Sequence, residues 1–110
     1  MSRVTISTAP CDPSASLVGE VRRITSLGIL EVRDRLSAGR PVFDQEIFFN
    51  RTEDVFAKAR ALLSALESGG HQPFVSEAGR PITAQTLRNI FEASEEEAEE
   101  LRRLDDLGHA

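Results

Sequence analysis

Residues 12–39 read Asp-Pro-Ser-Ala-Ser-Leu-Val-Gly-Glu-Val-Arg-Arg-Ile-Thr-Ser-Leu-Gly-Ile-Leu-Glu-Val-Arg-Asp-Arg-Leu-Ser-Ala-Gly. The pattern is that of two amphipathic helices joined by a very short turn. Asp12 suits an N-cap and Pro13 the first helical position, where its missing N–H costs nothing. Leu17, Val18, Val21 and Ile24 then fall on one helical face. Gly19 sits among them and weakens the helix by about 1 kcal/mol relative to alanine, which implies close packing of a neighbouring backbone. Leu27-Gly28 ends the helix, with Gly28 free to take a left-handed conformation. A second helix starts at Ile29 and buries Ile29, Val32 and Leu36; Gly39 and Pro41 stop it. Arg22, Arg23, Arg33 and Arg35 stud the surface of this hairpin, which is read as the face shown to a partner.

Working outward, residues 3–8 alternate polar and β-branched apolar side chains, the period of a half-buried strand with Val4 and Ile6 inward. Residues 42–49 read as a second strand, with Phe43, Ile47 and Phe49 on one side and Asp44, Glu46 and Phe48 on the other. Gln45 interrupts the apolar side and leaves the first half readable as loop. Asn50-Arg51-Thr52-Glu53 has the spacing of a capping box, with Thr52 as a competing N-cap. A third helix follows over 53–68, with Val55, Phe56, Ala59, Leu62, Leu63 and Leu66 as a wide core stripe, and Gly69-Gly70 stops it. Residues 72–77 form a third short strand, in which Pro73 suits an edge or a strand start. Residues 77–81 read as a turn that closes the compact body. Thr83 caps a further helix bearing Leu87, Ile90 and Phe91. Ser94-Glu95-Glu96-Glu97 predicts a break near Ala93 and a last helix carrying Ala98, Leu101, Leu104 and Leu107. The expected fold class is α+β: a compact β-α-α-β-α-β two-layer sandwich, a three-stranded sheet with three helices, plus an acidic C-terminal helical extension. The division falls between 1–79 and 80–110.

A chain of 110 residues is expected to form one folded body. At this length only about two thirds of the unfolded chain's surface can be buried, so every apolar stripe is needed. The aromatics are six Phe with no Trp or Tyr, too few for base-stacking platforms. Residues 1–82 are formally neutral, and the net charge of −5 lies entirely in residues 83–110. Phosphate binding needs a basic footprint, so nucleic acid is not expected as the main partner. Cys11 is the only cysteine, which excludes an internal disulfide and a cysteine zinc cluster and fits a cytoplasmic location. No signal-peptide run or membrane-spanning stretch is read, so a membrane is not expected either.

The segment Glu20-Val-Arg-Arg-Ile-Thr-Ser-Leu-Gly-Ile-Leu-Glu-Val-Arg-Asp-Arg-Leu36 resembles the signature of the C-terminal domain of the bacterial ribosomal large-subunit stalk protein. That family shows a valine–arginine pair, a glycine-rich turn, then an acid and a lysine-rich helix. The likeness runs over residues 4–77 and takes in the helix ending at Gly69-Gly70 and the strand at Phe74. It implies a fold of three strands backed by three helices, whose first two helices recruit translation factors. Arg22 matches the family's arginine and Arg33 a factor-binding lysine, a change that keeps charge but alters geometry. Ala15 and Val18 match apolar contact positions. Ser14 and Gly19 stand where the family has lysines, and Ser26 where it has glycine. The family's dimerisation helices and hinge are missing, and the acidic C-terminal helices are extra, so the resemblance implies a free-standing relative. The same fold is shared by the ClpS protease adaptor, whose asparagine–aspartate loop motif is replaced here by Thr8-Ala-Pro-Cys-Asp-Pro13.

No catalytic constellation, metal set or phosphate loop is read, and neither enzyme activity nor a cofactor is expected. His71 and His109 are too isolated for a metal that needs three or four convergent donors. Asp44 and Glu46 share a strand face but lack the pocket that would raise a carboxyl pKa. The expected function is therefore a non-catalytic protein-binding module. Its contact set is Ala15, Val18, Arg22, Arg23, Leu27, Gly28, Arg33 and Arg35, and the resemblance points to a translation-factor-like GTPase as partner. A second candidate surface is Glu95, Glu96, Glu99, Leu101 and Leu104. It would serve either a small acidic inhibitor or immunity-type protein or a homodimer through the C-terminal helices. A ClpS-like adaptor is the third reading.

Overall fold

In the computed structural model the backbone is described for residues 2–47 and 53–108; the side chains of 2, 47, 53, 54, 94, 98, 102 and 105–108 lie outside the description. Strand β1 (Ser2–Ser7) occupies a central position because its alternation is clean: Val4 and Ile6 are buried, while Arg3 points to solvent. It pairs antiparallel with β2 (Phe43–Ile47) on one side and β3 (Phe74–Glu77) on the other, setting Ile6 opposite both Phe43 and Val75. Strand β4 (Arg80–Ile82) extends the sheet to the order β2-β1-β3-β4.

The sheet therefore has four strands where three were expected. The segment read as a closing turn is a two-residue hairpin: Ala78 and Gly79 both take positive φ, 51° and 79°, the backbone of a type I′ turn. Pro81 is tolerated in β4 because the strand is a three-residue edge, where a missing ladder donor costs little and a proline helps to deter further pairing. The first half of the second strand is strand rather than loop, with Gln45 exposed opposite Val4. The proposed capping box at 50–53, with Thr52, and the inward placement of Phe49 lie outside the described residues, as do His109 and the Leu107 side chain.

Helix α1 (Ala15–Thr25) starts at Ser14 and not at Asp12. The Ser14 Oγ accepts from the Leu17 backbone N–H at 3.1 Å, the N-cap bond that satisfies one orphan donor. Pro13 is then the residue before the cap; it is buried, as is Val18 four residues into the helix, the two positions of a hydrophobic staple. The joint also differs from expectation. Ser26, not Gly28, is the left-handed C-cap of α1 (φ 62°), and Gly28 is the extended N-cap of α2 (Ile29–Ala38). Val32 and Leu36 are fully buried, but Ile29 is 52 % exposed and was wrongly expected in the core. Gly39 ends α2 at φ 70°, and a Cβ there would stand 2.9 Å from Pro10 Cδ, so glycine is required on two counts.

Helices α1, α3 (Glu53–Ser68) and α4 (Ala84–Gly108) back one face of the sheet, with α2 against α1. The other face carries Arg3, Thr5, Asp44, Glu46 and Ser76 and is polar. Thr83 caps α4 as expected, its Oγ1 accepting from the Thr86 N–H at 3.0 Å. The expected break near Ala93 does not occur: α4 is one helix of 25 residues, about 37 Å long. It runs antiparallel along α3, tied by the ion pairs Arg88–Glu67 and Arg60–Glu95. Phe91 is fully buried and stacks on Phe56 with ring centroids 4.1 Å apart. Leu87 and Phe91 belong to the same core as Val4, Ile6 and Leu63, and the division drawn between 79 and 80 falls inside the β3–β4 turn. The far half of α4 projects beyond that core, which stretches the molecule to 57 × 26 × 21 Å.

Candidate protein-binding face

Antiparallel packing of two short helices leaves a furrow between them wherever the facing side chains are small. On the α1–α2 face the small residues are Ala15 and Gly19, one turn apart on α1 and open to solvent. A groove of about 240 Å³ results, lined by Pro13, Ala15, Val18, Gly19, Arg22, Ile29 and Arg33. Its floor is apolar. Arg22 and Arg33, eleven positions apart in the chain, meet at it because the Ser26 cap reverses the chain between them. Neither arginine makes an ion pair or a side-chain hydrogen bond among the described residues.

Of the eight residues expected here, Ala15, Val18, Arg22 and Arg33 line this groove. Val18 is 94 % covered by its own core, so it supplies floor rather than a projecting contact. Arg23, Leu27 and Gly28 line an adjoining hollow that shares Gly19 and Arg22. Arg35 stands apart. Its guanidinium donates to Glu31 Oε1 at 2.6 Å and to the Pro41 carbonyl at 3.0 Å, which pins α2 to the approach of β2.

Three residues of the groove, Pro13, Gly19 and Ile29, fell outside the expected contact set, and Pro13 was read only as the first helical position. Ile29 was assigned to the core. Gly19 was assigned to backbone packing, yet a Cβ built on it meets nothing within 4 Å. A mid-helix glycine that costs about 1 kcal/mol and is packed against nothing keeps a surface bare. The mid-helix glycine was the signal available in the sequence; that nothing packs against it is visible only in the structure.

The remaining chemistry-bearing groups do not converge. Asp44 and Glu46 lie exposed on the polar face of the sheet. Arg3 Nε donates to Asp44 Oδ1 at 2.6 Å, and this hydrogen bond holds the Asp44 carboxyl below its ordinary pKa. A general acid needs the opposite shift. Among the described residues no group of three or more His, Cys, Asp and Glu is placed to hold a metal ion, and no helix is long and apolar enough to cross a membrane. On the second candidate surface, Glu95 accepts from Arg60, whereas Glu96 and Glu99 are exposed and Leu101 and Leu104 are 60 % and 59 % exposed.

Taken together, the molecule is an α+β domain with a four-stranded antiparallel sheet and an apolar, arginine-flanked groove on its outer helix pair. Compared with protein-family models, with curated proteins and with solved structures, the chain matches none.

Proposed function

We propose that this domain is a non-catalytic binding module that docks a protein partner through the α1–α2 face. The observation that carries this reading is the groove itself: an apolar floor between two guanidiniums that have no partner among the described residues. Arginine is enriched at binding hot spots because its planar fork pairs with carboxylates while its stem covers apolar surface. At about 240 Å³ the groove is smaller than the roughly 300–1,000 Å³ usual for small-molecule sites. It suits one or two anchoring side chains of a protein instead. The fitting partner presents an apolar anchor beside carboxylates. The resemblance to the ribosomal stalk domain makes a translation-factor-like GTPase the first partner to test.

The test is the double variant Arg22→Glu/Arg33→Glu, used in pulldowns from the native host and in titration against purified translational GTPases. Affinity is expected to fall by about tenfold or more. The melting temperature should hold within about 2 °C, because both side chains are exposed. A second variant, Gly19→Leu, fills the groove without changing charge and should weaken binding likewise. Recovery of the same partners by both variants would refute the assignment.

A further inference from the structure

The same molecule carries the complement of this groove. On the projecting half of α4, Leu101 and Leu104 are 60 % and 59 % exposed, the exposed large apolar side chains described on that helix. Glu97 and Glu100 precede them by four residues each, so each acid lies one turn above its leucine on the same face. The face is thus two apolar anchors, each beside a carboxylate. The groove offers the opposite: an apolar floor from Ala15, Val18 and Ile29 between Arg22 and Arg33.

We infer that the distal turns of α4 from a second copy of this chain occupy the α1–α2 groove. The inference rests on reading that groove as a docking surface and names its occupant. The occupant comes from another molecule for a geometric reason. Helix α4 is unbroken, is tied along α3 by Phe91 and Glu95, and contributes no residue to the groove lining. Its tip cannot return to its own α1–α2 face without breaking those ties.

Symmetric pairing of α4 with α4 is the rival arrangement, and charge opposes it. Six glutamates lie between residues 92 and 100. An antiparallel pair centred on Leu101 and Leu104 would set Glu99 and Glu100 beside positions 106 and 105, both aspartates in the sequence. A parallel pair would set each acid beside its own copy. The groove removes this repulsion by placing the acids against guanidiniums.

Each copy offers one groove and one tip, so the contact is head-to-tail and does not close on two molecules. Two helical turns in a small groove bury less than the roughly 1,200 Å² of a standard interface, which puts the contact in the weak, transient class; a Kd on the order of 100 µM is the working value for the test. An external partner using the groove would compete with this self-contact, leaving the groove open when the protein is dilute and occupied when it is crowded.

Sedimentation of the full chain from about 10 µM to about 1 mM, bracketing that Kd, tests the inference with two double variants. Arg22→Glu/Arg33→Glu spoils the groove, and Leu101→Ser/Leu104→Ser spoils the tip. The wild type is expected to grow past the dimer mass as concentration rises. Each variant alone should have its Kd raised by about tenfold or more, so that it stays largely monomeric up to about 100 µM, where the wild type already associates. Their equimolar mixture should form a 1:1 complex that stops at two chains, since only one groove and one tip remain intact. A wild type that stays monomeric throughout overturns the inference, as does self-association of the groove variant as strong as the wild type's. Partner capture reports separately. Loss of capture in the groove variant with a monomeric wild type sinks only the self-contact. Head-to-tail growth with capture unchanged in that variant sinks only the external docking role.

Discussion

Replacing Phe91 by alanine tests whether α4 is part of the cooperative fold or an appendage to it. The ring has no solvent exposure and stacks on Phe56 at 4.1 Å, inclined by 25°. The Arg60 guanidinium lies over the same ring, 5.8 Å from the centroid, while donating to Glu95. A buried Phe→Ala change costs about 3–5 kcal/mol, through lost transfer energy and the cavity left behind. The stacked pair accounts for about 0.5–1.5 kcal/mol of that. A domain of this size has only about 5–15 kcal/mol of total stability. At about 4 °C per kcal/mol, the melting temperature should drop by about 12–20 °C. Leu101→Ala, on the projecting half of the same helix, should change it by about 2 °C or less in dilute solution. The assay is thermal unfolding by far-UV circular dichroism at low concentration, supported by two truncations. A chain ending at residue 79 loses β4, Leu87 and Phe91 and should not fold. A chain ending at residue 95 keeps all three and should melt cooperatively. If Phe91→Ala costs less than about 4 °C, or if α4 melts in a separate step with the rest unchanged, the account of one shared core is wrong.

Ser14→Ala should destabilise the domain by about 1 kcal/mol through loss of the α1 cap, and Asp12→Ala should leave it nearly unchanged; urea midpoints at constant slope separate the two. Asp44 should titrate below its ordinary value because Arg3 donates to its ionised form. The sign follows from linkage: a carboxyl whose pKa is lower folded than unfolded contributes stability above its unfolded pKa. That contribution is lost as pH falls through the folded value. Arg3→Met should return the Asp44 midpoint toward normal in a carboxyl NMR titration and flatten the acid limb of the stability curve; an unmoved midpoint would contradict the pairing.

Much of the fold could be read because short-range physics decided it. The period-two run of β1, the stripes of α3 and the Gly39 stop depend on residues a few positions apart. The exposed arginines of the helix hairpin were legible for the same reason, since an amphipathic helix shows its polar face by spacing alone. What escaped the reading was decided at longer range. Ser94-Glu95-Glu96-Glu97 has the local form of a helix start, yet Phe91 on Phe56 and Glu95 on Arg60 hold both sides of that point to one straight partner, α3. Asp12-Pro13 has the local form of a cap, but burial of Pro13 beside Val18 moves the start two residues on. Strand β4 escaped because a proline weighs against a strand until an edge position is known to exist.

The groove escaped in part for a related reason. Ile29 is apolar and helical, and periodicity alone assigns such a residue to a core. Only the hairpin geometry shows that α2 already buries Val32 and Leu36 and leaves Ile29 half outside. Gly19 poses the converse problem: its missing side chain is read as tight packing until the space above it proves empty. Each deviation alone would be a small local cost, about 1 kcal/mol for the glycine and an exposed isoleucine that is common on any surface. They fall, however, on the two walls of one furrow whose rims are unpaired guanidiniums among the described residues. Helix-weakening and solvent-exposing choices that converge on one place are more simply explained by a ligand that covers them than by independent drift. Under the proposed docking role, an apolar anchor with neighbouring acids is the ligand chemistry that would complement those walls and rims.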